Sequence, residues 1–170
     1  MDKTHIFWIL ASKGGAGKTL LSMYLHKSFF FTRSFPAKDT LILDLNTQNR
    51  DLYNILRKSS KTSSEIIPID TPFGKVMMSI FKLREPNLYV GTPKETILLP
   101  QYFVIPLQML KIIDSSNIII DTNLNLASVS GLDSNGIKKI KSFFAGEDIY
   151  NKIYPLIFFI WTTGSITRQS

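Results

Sequence analysis

The sequence contains no cysteine, which excludes disulfides, thiolate zinc sites, iron–sulfur clusters and cysteine nucleophiles together. Histidine is scarce: the two present, His5 and His26, stand alone and read as structural or surface residues. Acidic residues are outnumbered, 13 Asp+Glu against 20 Lys+Arg, for a formal charge of +7 and acidic partners in prospect. No repeat or low-complexity tract occurs. No secretory signal precedes the first apolar run, which leads straight into a glycine-rich loop, so a cytoplasmic protein is the expectation. What is present is a chain of 170 residues, 44% hydrophobic and 12% aromatic. That content excludes a disordered or fibrous chain, and the length suits one domain over residues 1–170.

Long apolar runs are also few. Only Thr96–Ile113 raises the question of a membrane span, and it carries Pro100, Pro106, Gln101, Gln108 and Lys111. A spanning helix needs roughly 20 mostly apolar residues, and the prolines would free backbone groups that lipid cannot satisfy. A buried core segment is expected in its place. The run Pro155–Trp161 is too short to span as a helix and reads as an interior strand, although it would be an apolar edge if no further strand follows it.

Apolar stretches alternate with helix-like ones, the pattern of an α/β domain. Strands are expected at Ile6–Leu10, Leu41–Leu45, Asn87–Val90, Asn117–Asp121 and Leu156–Trp161, and helices at Thr19–Phe31, Asp51–Lys58 and Gly74–Leu83. Thr96–Ile113 should cross back as a helix kinked or broken at its prolines. Ser59–Ser64 and Ala127–Gly136 read as loops, and Ile137–Phe144 as a basic segment. The phenylalanines at 29, 30 and 31 read as the buried end of the first helix, and Trp8 and Trp161 as core.

The strongest signal is Lys13-Gly14-Gly15-Ala16-Gly17-Lys18-Thr19, set between an expected strand and helix. Glycines let backbone N–H groups turn inward against phosphate oxygens, and the following helix points its positive end at the same anion. In a phosphate-binding loop, Lys18 would place an ammonium between the β- and γ-phosphates, and Thr19 would offer its hydroxyl to Mg²⁺. A glycine-rich turn with solvated lysines is the bland alternative.

The usual loop has a glycine where Ser12 stands, and here a second lysine, Lys13, precedes the paired glycines. The loop resembles the deviant Walker A loop of the ParA/MinD family of P-loop ATPases. Two further segments resemble that family's motifs. Leu41-Ile42-Leu43-Asp44-Leu45-Asn46 is similar to its second strand ending in D-x-D, and Asn117-Ile118-Ile119-Ile120-Asp121-Thr122 to its Walker B strand. Asn87–Pro93 resembles the strand between them, so the likeness runs from about Ile6 to Thr122. It implies a three-layer P-loop NTPase fold with a mainly parallel sheet, short at its C-terminal end. It also implies ATP and Mg²⁺ as ligands. Gly14, Gly15, Ala16, Gly17, Lys18, Thr19 and Leu20 would form the nucleotide cradle, with Thr19, Asp44 and Asp121 at the metal. Lys13, Lys18, Asp44 and Asn46 would act on the phosphates, Lys13 by reaching across an ATP-dependent homodimer into the partner's site. A decoy, Ile66–Pro72 with Asp70, also mimics Walker B, but Pro68 disfavours a central strand and Asp70 follows Asp44 by only 26 residues.

The chain departs from the family at Asn46, where the second aspartate credited with orienting water usually stands, and at Asn123 and Leu124, which replace a Pro-Pro pair. A carboxamide can position water but takes no proton from it, so slow hydrolysis or a nucleotide-binding regulator without turnover follows. A neutral strand-end cap is the plain alternative for Asn46. A small-molecule P-loop kinase would want a glycine at Ser12 and an Arg-rich lid, neither of which is evident. The family's ParA branch binds DNA non-specifically and positions cargo through adaptor proteins. The clusters Arg50, Arg57, Lys58, Lys61 and Lys138, Lys139, Lys141 supply the charge such binding needs, or a solvated basic surface.

Overall fold

A computed structural model of the chain describes residues 3–11, 18–31, 39–83 and 88–161. The described strands are β1 (His5–Ala11), β2 (Asp39–Asp44), β3 (Glu65–Thr71), β4 (Gly74–Lys82), β5 (Leu88–Pro93), β6 (Ser115–Asp121) and β7 (Ile157–Trp161). They form one sheet in the order β3-β4-β5-β2-β6-β1-β7. From β5 to β7 all neighbours are parallel, whereas β3 and β4 are added as an antiparallel hairpin at one edge. Helices α1 (Lys18–Phe31) and α2 (Asp51–Lys58) lie on one face, and α3 (Leu99–Met109), α4 (Leu126–Ser130) and α5 (Ser134–Phe143) on the other.

Strand alternation divides the core between those faces. Phe7, Ile9, Ile42 and Ile119 pack with Leu52 and Leu56 of α2 and with the α1 side chains Leu21 and Leu25. Ile6, Trp8, Leu43, Ile118 and Ile120 pack with Val104, Ile105 and Met109 of α3 and with Ile140 of α5. The central strands are therefore apolar at nearly every position, as expected of strands covered on both faces. The α/β architecture, the first helix, α2 and the strand ending at Asp121 agree with expectation.

Four expectations need correction. Gly74–Leu83 is not a helix but strand β4, whose Val76, Met78 and Ile80 face one core with period two. The β3–β4 turn needs Gly74, at φ +110°, and Thr71 holds it by donating from Oγ1 to the Gly74 carbonyl at 2.6 Å. The terminal strand is not interior: β7 pairs with β1 alone among the described strands, and Phe158 and Ile160 are nearly half exposed. The expected loop Ala127–Gly136 is largely helical. Asn125 and Asp133 start α4 and α5 by accepting from the N–H groups of Ser128 and Gly136. Lastly, β5 runs on through Gly91-Thr92-Pro93 instead of closing before them.

Thr96–Ile113 contains one helix, α3, with Pro100 in its first turn and Pro106 inside it. Most of its side chains are buried, including Tyr102, Val104, Ile105 and Met109. Among the described residues no helix is long and apolar enough to cross a membrane. Trp8 is core, and His5 stacks on Tyr154 with ring centroids 4.2 Å apart. The side chains of His26, Phe29, Phe30, Phe31 and Trp161 lie outside the described set.

Candidate functional site

The carboxyl ends of β1, β2 and β6 meet where the chain leaves β1 through α1 toward β2, and leaves β6 through α4 and α5 toward β7. Connections that depart to opposite faces from adjacent strands open a crevice at the strand ends, where ligands of open α/β sheets bind. Asp44 ends β2 and Asp121 ends β6, and the two are direct partners in the parallel register. Their side chains continue the face of Ile42 and Ile119, which α1 and α2 cover.

Three charged side chains are buried together here. Lys18, first residue of α1, is 6% exposed, Asp121 is 1% exposed and Asp44 is fully buried. Burial lowers the Lys18 pKa, while the Asp121 and Asp44 carboxylates pull it back up. Asp121 is pushed up to about 7, first by burial and then by Asp44; Lys18 and a hydrogen bond from Thr19 act against that rise. Its Oδ1 is buried without a hydrogen-bond partner.

Asp44 is also raised by burial, but it is better satisfied. Its Oδ2 accepts from the Tyr53 N–H at 2.9 Å and its Oδ1 from the Asn46 N–H at 3.1 Å. Tyr53 lies in the first turn of α2, so the carboxylate stands at the positive end of that helix. The Asp44 carbonyl in turn accepts from Thr92 Oγ1 at 2.7 Å, a link from β5 that pins the strand end. Next to it Arg50 adopts a left-handed conformation, φ 48°, and donates from Nε to the Pro93 carbonyl at 3.0 Å.

Around this core lies a polar rim in which Tyr102 and Thr47 join residues already marked by the sequence. Thr122, fully buried, donates to the Ile9 carbonyl at 3.0 Å and accepts from the Leu124 N–H at 3.1 Å. It ties the segment after β6 to β1. Tyr102 of α3 donates from its hydroxyl to Asn123 Oδ1 at 2.9 Å, and Thr47 hydrogen-bonds the same hydroxyl. Asn46 presents a buried Oδ1 with no partner. Tyr102 escaped sequence reading because it sits inside an apolar run; nothing local marks its hydroxyl as facing the β2 and β6 ends.

Of the expected site residues, Lys18, Thr19, Asp44, Asn46 and Asp121 are thus brought to one end of the sheet. Leu20 is exposed on α1. Lys13, Gly14, Gly15, Ala16 and Gly17 lie outside the described residues. The decoy Asp70 is elsewhere: it is exposed on edge strand β3, paired at 3.9 Å with Lys75, where solvent leaves the pair little energetic weight. The two basic clusters do not merge, since α2 and α5 flank opposite faces of the sheet.

The donor set suits a magnesium-bound polyphosphate. Magnesium held through phosphates requires only one or two carboxylates, and the unpartnered Asp121 Oδ1 beside the Thr19 hydroxyl is such a donor. Lys18 adds a buried cation, which the two neighbouring carboxylates compensate in the ligand-free chain. Comparison of the chain with protein-family models, curated proteins and solved structures finds no match.

Proposed function

We propose that this chain is a P-loop ATPase switch of the ParA/MinD kind. It would bind ATP and Mg²⁺ at the ends of β1, β2 and β6, and close as a homodimer on the nucleotide. The observation that carries the reading is Lys18, buried against Asp44 and Asp121 directly after a Gly-Gly-Ala-Gly loop. A lysine there binds phosphate oxygens, and the first turn of α1 adds its dipole. Thr19 and Asp121 would hold the metal, with Asp44 supporting it from the α2 end. When bound, magnesium would neutralise charge on the phosphates and fix their orientation.

The strand order β5-β2-β6-β1-β7, with the loop between β1 and α1, supports a three-layer P-loop NTPase fold. Lys13 would complete the partner's site in the dimer. Partition of DNA, or positioning of another cargo through an adaptor, is the biological role that the resemblance implies. The basic clusters on α2 and α5 would supply two separate contact points and not one continuous stripe.

A second reading is favoured by Asn46, whose buried Oδ1 can orient water but accept no proton. The chain would then bind nucleotide as a switch or regulator with little turnover. One set of assays separates the readings. Phosphate release from MgATP, with and without DNA, should exceed that of Lys18→Ala, and a non-hydrolysable analogue should convert wild type, but not Lys13→Ala, to a dimer. Nucleotide-dependent dimers with no release above Lys18→Ala, and release restored by Asn46→Asp, select the switch. Neither dimerisation nor release would overturn both.

A further inference from the structure

Asn123 follows the Asp121 strand end by two residues, and its side chain is held from a different element of the fold. Both neighbours of Asn123 are anchored. Thr122 is fully buried and tied to β1 through the Ile9 carbonyl, and the Leu124 N–H donates to the Thr122 hydroxyl at 3.1 Å. The Asn123 side chain is exposed, yet Tyr102 of α3, only 5% exposed, donates from its hydroxyl to Asn123 Oδ1 at 2.9 Å. The same hydroxyl is bonded by Thr47, a buried residue three positions past Asp44. Burial raises the Tyr102 pKa and the Thr47 bond opposes that rise, as a bond donated to the phenol oxygen does. Tyr102 thus bridges the segments that follow both strand-end aspartates.

These bonds have a direction. A phenol carries one proton, and Tyr102 gives it to Asn123. A carboxamide sets its acceptor oxygen and its two-proton nitrogen on different sides of one planar group, so fixing Oδ1 on Tyr102 turns Nδ2 away from α3. Among the described residues Nδ2 has no partner. An exposed amide at the strand-end crevice, braced by a buried phenol and presenting two spare N–H donors, suits an acceptor and not a cation. Asn46 is its counterpart, since its unpartnered Oδ1 is a spare acceptor. A proline at 123, as in the motif this segment resembles, would have no side-chain donor to present.

We propose that Asn123 is a specificity-determining residue of the nucleotide site and Tyr102 its positioning residue. The phenol, backed by Thr47, aims Asn123 Nδ2 at the terminal phosphate of a nucleoside triphosphate. This inference rests on the nucleotide reading above and deepens it by naming what distinguishes triphosphate from diphosphate. A diphosphate leaves the Nδ2 donors to water, whereas a third phosphate gives them a charged acceptor, the stronger kind of hydrogen bond. Nδ2 donates and cannot accept, so Asn123 contributes to recognition and takes no proton from water.

The test is calorimetric titration of the full chain with a non-hydrolysable ATP analogue and with ADP, both with Mg²⁺, at protein concentrations where sizing shows no dimer. Wild type should favour the analogue. Asn123→Ala, at an exposed position, should cut that preference about tenfold by weakening the analogue while leaving ADP unchanged. Asn123→Asp keeps an acceptor for Tyr102 but replaces the donor with a negative charge, and should weaken the analogue further. Tyr102→Phe should cut the preference by about threefold or more, again through the analogue alone. Equal loss for both nucleotides in Tyr102→Phe would make the phenol a merely structural residue and overturn its positioning role. The Asn123 side-chain amide resonance in wild type should shift with the analogue and not with ADP, and identical spectra in the two would overturn the contact. A preference absent from wild type, or unchanged in Asn123→Ala, would overturn this inference and leave the nucleotide reading intact. No binding of either nucleotide would overturn both.

Discussion

Asp121 meets two opposed demands. Its position at the end of a strand covered on both faces removes water from its carboxylate, and the neighbouring Asp44 repels its charge, so its pKa rises to about 7 from 3.8. In the ligand-free chain between roughly pH 4 and 7, folded Asp121 holds a proton that the unfolded chain has released. Stability from this group is present below the unfolded value and is lost as pH rises through the folded one. The shift corresponds to something on the order of 4 kcal/mol at about 1.36 kcal/mol per unit. Urea unfolding should accordingly give a less stable ligand-free chain at pH 8 than at pH 5, and Asp121→Asn should remove most of that difference. An unchanged pH slope in the variant would assign the titration to another group. Bound cation reverses the balance, since it favours the ionised form. Under the proposed function, the residue that weakens the empty chain would strengthen its response to a magnesium-bound ligand. Asp44 avoids much of this conflict through its two backbone donors. It was legible in the sequence as a strand-end aspartate. Its partner Tyr53 was not, because the pairing depends on how α2 returns to β2.

Among the elements, β5 shows how little a short motif reveals of its packing. Gly91 lies where β5 passes between β4 and β2. A Cβ there would meet Ile80 Cγ1 at 3.2 Å, Leu43 Cδ2 at 3.5 Å and Met78 Cε at 3.7 Å. Those neighbours belong to the close-packed core, so added volume must displace side chains from both flanking strands. Gly91→Val should cost about 1–3 kcal/mol, with Gly91→Ala less damaging, in thermal or urea unfolding. A neutral valine would show that the sheet yields there. The misread β4 has a related cause. Val76, Met77, Met78, Ile80 and Phe81 are dense enough in apolar residues to fit either period locally. The positive φ at Gly74 and pairing with β3 and β5 select the strand. In β3, Pro68 is accommodated because the strand is an edge and one side of its ladder needs no donor. In α3, Pro106 sits inside a helix that burial against the sheet holds together despite the lost N–H.

For the whole molecule, the unresolved tension is the β7 edge. Ile160 is 45% exposed and Phe158 44% on a strand whose outer side pairs with no described strand. An exposed apolar edge is a template for pairing with another chain, and a charge placed on it blunts that tendency. Ile160→Lys should reduce concentration-dependent light scattering while shifting unfolding free energy by no more than about 0.5 kcal/mol. Unaltered scattering would mean that self-association proceeds through a different surface. This contact is separate from the proposed nucleotide-bound dimer, which would form at the carboxyl ends of the central strands. The two are distinguished by nucleotide dependence.

The amino-acid sequence by itself determined the α/β alternation, the buried central strands and the glycine loop followed by Lys18 and Thr19. These follow from local chemistry: apolar runs that need cover on both faces, and a run of glycines too dense for the interior of a strand or helix. It also ranked Asp121 above Asp70, through one proline and one spacing. Only the tertiary structure decided that β6 lies between β1 and β2, setting Asp44 beside Asp121 and Lys18 in the same buried cluster. Only it placed Tyr102 against Asn123 and β7 at an edge of the described sheet. Each of these depends on which strands become neighbours, and strand order is set by packing among distant parts of the chain, which no local pattern encodes.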